Sequence, residues 1–277
     1  MSEVVAEAKT PMNNVEELMK ILLVANKLHE QQQISLLLNQ ISEMEKNHAA
    51  VMKELTEIKS QLNEVLGKKE TDPAVSKNTE KLTQTLGEVE GTEKEWRQRL
   101  DSMKQDLNQK AQKVVQRFKD VGIKALNKVC DFLGIQEKLI KMRDHARSSE
   151  MKMKTAVEKI DAVEKELFGA MAQIKSAGRI LADKQPPIPA ESSQNISLIQ
   201  KMTQKIKNHC LKRQKVYEKR AEKLDQAIEK FHALEQKASV LRKLSDNKDK
   251  VSLKEKDNED KQQEMGAPEH KRDENTR

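Results

Sequence analysis

The spacing of proline constrains this chain more than any other feature. Six are present, at positions 11, 73, 186, 187, 189 and 268, and none falls between Pro73 and Pro186. An interior proline removes a helical hydrogen bond and costs about 3 kcal/mol. So wide a gap therefore favours long helices, and the apolar residues inside the proline-free stretches recur at helical spacing.

Asn13 or Asn14 can cap a first helix after Pro11, with Glu16 and Glu17 suited to the positive end of its dipole. Leu18, Ile21, Ala25 and Leu28 mark its face, and Gln31 to Gln33 form a polar break. Beyond it a strict alternation of three and four runs through Ile34, Leu37, Ile41, Met44, His48, Val51, Leu55, Ile58, Leu62 and Val65. Such a heptad pattern argues for a coiled-coil seam. It has no obvious intramolecular match in length and regularity together, so it is expected to join copies into a homo-oligomer. Gly67 is the expected stop.

The middle of the chain reads as a helical hairpin over 74–184. Leu82, Leu86 and Val89 predict a short helix weakened by Gly87 and Gly91, and Thr92 to Glu95 has the form of a capping box that opens the next one. Trp96, Leu100, Met103 and Leu107 continue that face. A four-plus-four step to Ala111 is a stutter, and Gly134 is the expected end. From Leu139 to Leu181 the periodicity is the most regular of all, with a column of small residues (Ser149, Ala156, Ala170, Ala177) that lets an antiparallel neighbour approach closely.

A proline-rich linker is expected over 185–195, then a basic helix over 196–244. The tail 245–277 holds eight basic and ten acidic residues from Asp246 onward and almost nothing apolar. It cannot offset its ordering entropy and is expected to be disordered. Residues 1–13 read as a flexible start to the N-terminal helical region 14–67. The predicted fold is all-α: an elongated antiparallel coiled-coil or helical bundle with a disordered C-terminal tail.

Composition enters where function is concerned. Charged residues make up 35%, against roughly 25% in an average globular protein, and only six aromatics are present. No apolar run approaches the roughly eighteen residues of a membrane span, and the first twelve residues lack the apolar segment of a secretory signal. Cys130 and Cys210 have no CxxC or CxxH partner, so small buried hydrophobes in a reducing cytoplasm are expected rather than a disulfide or a zinc site.

Catalytic signatures are absent: there is no GxxxxGK[ST], GxGxxG or GxSxG, and no HExxH. Glu158, Asp161 and Glu164 alternate with lysines as on a solvated helix face. No catalytic residue, cofactor, metal ligand or small-molecule substrate is therefore expected. His48 stands at a heptad core position, where a polar residue can fix register and an imidazole can respond to pH.

The net charge of +7 is concentrated in 201–223, which holds nine Lys or Arg against two acids. Lys201, Lys205, Lys212, Arg213, Lys215, Lys219, Arg220 and Lys223 are the candidates for sequence-independent contact with nucleic-acid phosphates. Their alternative is pairing with acidic faces of neighbouring helices. A second amphipathic run, 111–133, sets Lys113, Arg117, Lys119, Lys124 and Lys128 beside Val114, Phe118, Val121, Ala125 and Phe132, a pattern that suits either a membrane surface or a packed core.

The segment Val121-Gly-Ile-Lys-Ala-Leu-Asn-Lys-Val-Cys-Asp-Phe-Leu-Gly-Ile135, followed by the regular helix to Lys184, resembles uncharacterised helical proteins encoded on integrative and conjugative elements of gut anaerobic bacteria. The likeness spans about residues 15–245 and rests on a helix-loop-helix pattern. It implies a bacterial, cytosolic accessory protein of a mobile element, and that family assigns no activity to particular residues. The sequence therefore reads as a non-enzymatic scaffold or adaptor whose partner is itself or another helical protein. A nucleic-acid-binding factor and a peripheral membrane protein are the alternatives.

Overall fold

The computed structural model describes residues 12–67, 73–181 and 190–264, and everything described is helix or connecting turn. The elements are α1 (Asn13–Val24), α2 (Leu28–Gly67), α3 (Pro73–Val121), a 3-10 turn (Gly122–Leu126), α4 (Val129–Leu133), α5 (Ile135–Leu181) and α6 (Ala190–Glu264). The all-α prediction holds. The chain divides into two compact units, the first reaching Glu229 and the second beginning at Lys230.

In the first unit α2, α3, α5 and α6 form an antiparallel four-helix bundle whose register is written in its ion pairs. Lys81 pairs with Glu166 at 2.7 Å, Glu88 with Lys159 at 2.6 Å, and Glu95 with Lys152 at 2.8 Å. Each step of seven up α3 is a step of seven down α5. Lys59–Glu90 and Glu45–Lys104, both 2.8 Å, tie α2 to α3 in the same manner, two heptads apart. Between α2 and α6 the ladder is Gln61–Lys205, Glu54–Lys212 and Glu43–Lys223. Between α5 and α6 it is Asp161–Lys207 and Arg143–Asp225. The helices thus run up, down, up and down. Exposed pairs contribute at most about 1 kcal/mol each, so what they convey is register, while stability comes from the seams beneath.

Those seams follow the heptads. Ile34, Leu37, Ile41, Met44, Val51, Leu55, Ile58 and Leu62 of α2 are at most 7% exposed, as is His48 at 6%. The side chain of Val65 lies outside the described residues. Because this seam is covered inside one chain, self-association loses the ground on which it was expected. On α5 the row Leu139, Met142, Ala146, Ser149, Met153, Ala156, Ile160, Val163 and Leu167 is buried, and the small residues face the antiparallel α3 as anticipated. The side chains of Ala170 and Ala177 lie outside the described residues.

Several boundaries differ from expectation. The first break falls at Ala25 to Lys27, not at Gln31 to Gln33. Asn26 takes the left-handed conformation (φ 54°), Lys27 N–H donates to the Leu22 carbonyl at 2.8 Å and Asn26 N–H to the Leu23 carbonyl at 3.1 Å, a Schellman stop with asparagine in the glycine position. Neither asparagine caps α1 with its side chain; Asn14 N–H instead donates to Asn108 Oδ1 at 3.1 Å, so α3 supplies the cap. Gly87, Gly91 and Thr92 do not interrupt α3, which is one helix of 49 residues. Thr92 Oγ1 donates back to the Glu88 carbonyl at 3.0 Å, a helix-interior bond and not a capping box. The run 111–133 is not one helix: Gly122 (φ 66°) and Lys128 (φ 58°) turn it twice. In the C-terminal region α6 begins at Ala190, inside the expected linker, and its backbone is helical through Glu264; residues 182–189 and 265–277 lie outside the described residues. So do residues 1–11, most of the expected flexible start.

Candidate functional site

The basic stretch lies on α6, and bundle geometry splits it. Arg213 is turned into the core at 2% exposed. Lys205 donates to Gln61 Oε1 at 2.8 Å, Lys212 to Glu54 at 3.3 Å and Lys223 to Glu43 at 2.9 Å. Lys207 reaches both Asp161 at 2.6 Å and Glu164 at 2.8 Å. Arg220 lies 5.9 Å from the Trp96 ring and 5.5 Å from that of Tyr217. Lys201, Lys215 and Lys219 are exposed and have no ion-pair partner among the described residues. Lys207, Lys212 and Lys223 therefore neutralise acids of α2 and α5, and Arg213 an acid of α3. The phosphate-binding candidates shrink to these three and the outer part of Lys212.

The chemistry that sequence reading missed stands in the bundle core. Along α3 the spacing Leu82, Leu86, Val89, Glu93, Trp96, Leu100 alternates four and three, so Glu93 occupies a core position; it is 1% exposed. Along α6 the same alternation runs Ile206, Cys210, Arg213, Tyr217. The two seams bring Glu93 and Arg213 together between α3 and α6. Arg213 Nε donates to Glu93 Oε1 at 2.8 Å and the Tyr217 hydroxyl donates to the same oxygen at 2.6 Å. His48 Nδ1, from α2, stands 3.8 Å from Oε2, close enough to be felt electrostatically and too far for a hydrogen bond. The α5 contribution is Ser149, whose Oγ accepts from Trp96 Nε1 at 2.9 Å. Every helix of the bundle thus sends a polar side chain to this region.

Aromatic rings close it. Trp96 and Tyr217 stack with centroids 5.9 Å apart, Trp96 meets His145 at 4.4 Å, and Arg213 lies 4.8 Å over the Tyr217 ring. Burial by itself pushes the Glu93 carboxyl up, but the His48 imidazole, the Arg213 charge and the Tyr217 hydroxyl outweigh it and hold the group at about 2. Burial pushes the Tyr217 hydroxyl up, further raised by the Glu93 charge. Burial also takes His145 down to about 4, aided by the Arg99 charge, and drives the Cys210 thiol up to about 12. Glu93 is therefore a fixed anion, Tyr217 and Cys210 stay protonated, and His145 is neutral. None of these states suits a group that trades protons near neutral pH. Among the described residues no set of three His, Cys, Asp or Glu could hold a metal ion.

On the outer side of the α3–α5 pair runs a groove of about 690 Å³, lined by Trp96, Leu100, Met103, Met142 and His145 with Glu95, Arg99 and Lys138 on its rim. It shares Glu95 with a second hollow of about 520 Å³ that includes Gly91, Met151 and Met153.

A family model described as "Family of unknown function (DUF6674)" matches residues 12–274. No curated protein and no solved structure matches the chain.

Proposed function

We propose that the chain, which belongs to this family of unknown function, is a non-enzymatic helical scaffold or adaptor that works through helix–helix contacts. One observation carries this reading. The side chains capable of chemistry are sealed in the core and bonded to each other, while the outside offers long helical faces, including the methionine-lined groove between α3 and α5. Methionine adapts to varied apolar surfaces, and a groove along two antiparallel helices suits an amphipathic helix with anchors at positions i, i+3, i+4 and i+7. The resemblance to helical proteins of integrative and conjugative elements supports an accessory role on such an element, in the cytoplasm of a gut anaerobe. Self-association remains part of the proposal, through outer faces and not through 34–65.

Co-purification of the full chain from its native cells, followed by the pair Met103→Glu and Met151→Glu, tests this reading. A stoichiometric helical partner is expected to be lost from the variant. Met103 is half-buried, so the control is Met151→Glu alone, at a position 58% exposed, which should weaken the partner while the melting temperature stays within about 2 °C. Retention of every partner by the variant would reject the groove.

Within 201–223 only Lys201, Lys215 and Lys219 are exposed and unpaired among the described residues, with Lys212 67% exposed beside Glu54. Binding to a random duplex should then follow salt with a logarithmic slope near −3, at about −0.9 per phosphate neutralised. Fluorescence polarisation from low to physiological salt measures it; a slope near −7 would mean that the paired lysines leave their acids to bind.

A further inference from the structure

Six of the large apolar side chains left exposed fall in two short segments: Leu23, Val24 and Leu28 at the α1–α2 turn, and Val121, Ile123 and Phe132 around the 3-10 turn and α4. Their exposures run from 43% to 87%, with Val24 the highest. The two segments are neighbours. Glu17 of α1 pairs with Lys119 at 3.5 Å, and Cys130 Sγ lies 3.6 Å from the Glu30 carbonyl. Together they form one apolar tip where α1, α2 and α3 meet the 3-10 turn.

Packing does not account for this tip. Residues one turn away are sealed: Leu22, Leu126 and Leu133 are 0% exposed and Val129 is 1%. The core is therefore complete beneath a second, outward set of hydrophobes, and none of the six lines the grooves on α3 and α5. Contiguous exposed apolar surface rimmed by polar groups marks an interaction site.

Charge identifies the occupant. Lys20, Lys113, Arg117, Lys119, Lys124 and Lys128 are exposed around the tip, against Glu16, Glu17, Asp120 and Asp131. A second copy would bring like charge onto like charge, whereas an anionic lipid surface would complement it. The tip is also made of turns, which present protruding side chains and no cradle for another helix. Short apolar projections ringed by lysines suit insertion at the headgroup boundary, where each lysine adds attraction to anionic lipid.

We infer that the turns at 23–28 and 121–132 form a peripheral docking tip for anionic membrane surfaces. This goes beyond the scaffold reading and does not depend on it: the groove that would hold a partner helix is on α3 and α5, apart from the tip. It also differs from a membrane-bound helix over 111–133, since Val114 is buried and Phe118 half-buried, packed into the bundle.

Flotation of the full chain with vesicles of phosphatidylcholine alone, or with roughly a third phosphatidylserine, tests the inference. The chain should float with the anionic vesicles, less so at high salt. Val24→Asp with Phe132→Asp should reduce the bound fraction at least tenfold with an unchanged melting temperature, since both positions are exposed. Lys124→Gln with Lys128→Gln should weaken binding towards the neutral-vesicle level. No flotation with anionic vesicles would overturn the inference, as would flotation that the aspartate pair leaves intact. A dimer in solution that the aspartate pair converts to monomer, without vesicle binding, would assign the tip to a second copy instead.

Discussion

Glu93 and Arg213 show how much a single buried pair can decide. Removing one partner leaves the other charged without compensation, which costs about 3–5 kcal/mol, whereas replacing both by apolar residues is often neutral or stabilising. Urea unfolding should therefore show Glu93→Gln destabilised by that amount, and Glu93→Leu with Arg213→Leu recovering most of the loss; additive losses would deny the coupling. Acid should act in two stages. The Glu93 carboxyl, held at about 2 against an ordinary 4.5, binds its proton more weakly in the folded chain, so its contribution of about 3 kcal/mol is full above pH 4.5 and is lost as pH falls towards 2. His145, lowered from 6.5 to about 4, favours the unfolded state as pH falls through that window, and His209, also lowered by burial, acts in the same sense. Melting temperature should begin to decline near pH 6.5, earlier than carboxylates alone would cause. His145→Gln should shrink this first decline, with the quenching of Trp96 reporting it. The pair was legible in principle: both residues sit at apolar positions of an otherwise regular alternation. It was missed because Thr92 to Glu95 was read as a helix start, which took Glu93 out of the seam.

At the level of elements, heptad regularity was the dependable signal and breakers were the misleading one. The seams of α2 and α5 could be named residue by residue, since only one face of each helix could be buried. Gly87 and Gly91 misled because the propensity cost of glycine, about 1 kcal/mol, is small beside the packing of a 49-residue helix on its neighbours. Apart from the adjoining backbone of α3 itself, neither has an atom within 4 Å of where a Cβ would stand. Gly87→Ala and Gly91→Ala should each stabilise the protein by about 0.5–1 kcal/mol, read as a rise in denaturation midpoint; destabilisation would indicate a real interruption there. Gly134 is the counter-case, with φ 64° and Glu137, Lys138 and Lys110 side chains within 4 Å. It terminates α4 as its sequence position suggested. The true first break was hidden because an asparagine, Asn26, occupies the left-handed position, and its φ depends on carbonyls that sequence spacing does not display.

For the whole molecule, the four long helices complete a core that the sequence had divided between chains. The heptad run of α2 has no match of equal length and regularity because it packs between two helices. One is α3, whose seam is interrupted by Glu93; the other is α6, which begins more than 120 residues later and carries its seam under a basic exterior. If one chain is a complete bundle, its melting temperature should stay constant over a hundredfold range of protein concentration; a seam shared between copies through 34–62 would make it rise with concentration. The distance in sequence between Glu93 and Arg213 has a temporal counterpart. During synthesis α2, α3 and α5 emerge first, and until α6 follows Glu93 has no cation of its own from that helix. A chain that stops short before α6 keeps a carboxylate facing an apolar seam and an unfilled fourth side, the kind of exposed, poorly satisfied state that proteolysis removes. The central carboxylate thus gains its two partners, Arg213 and Tyr217, only once the chain has been translated past Tyr217.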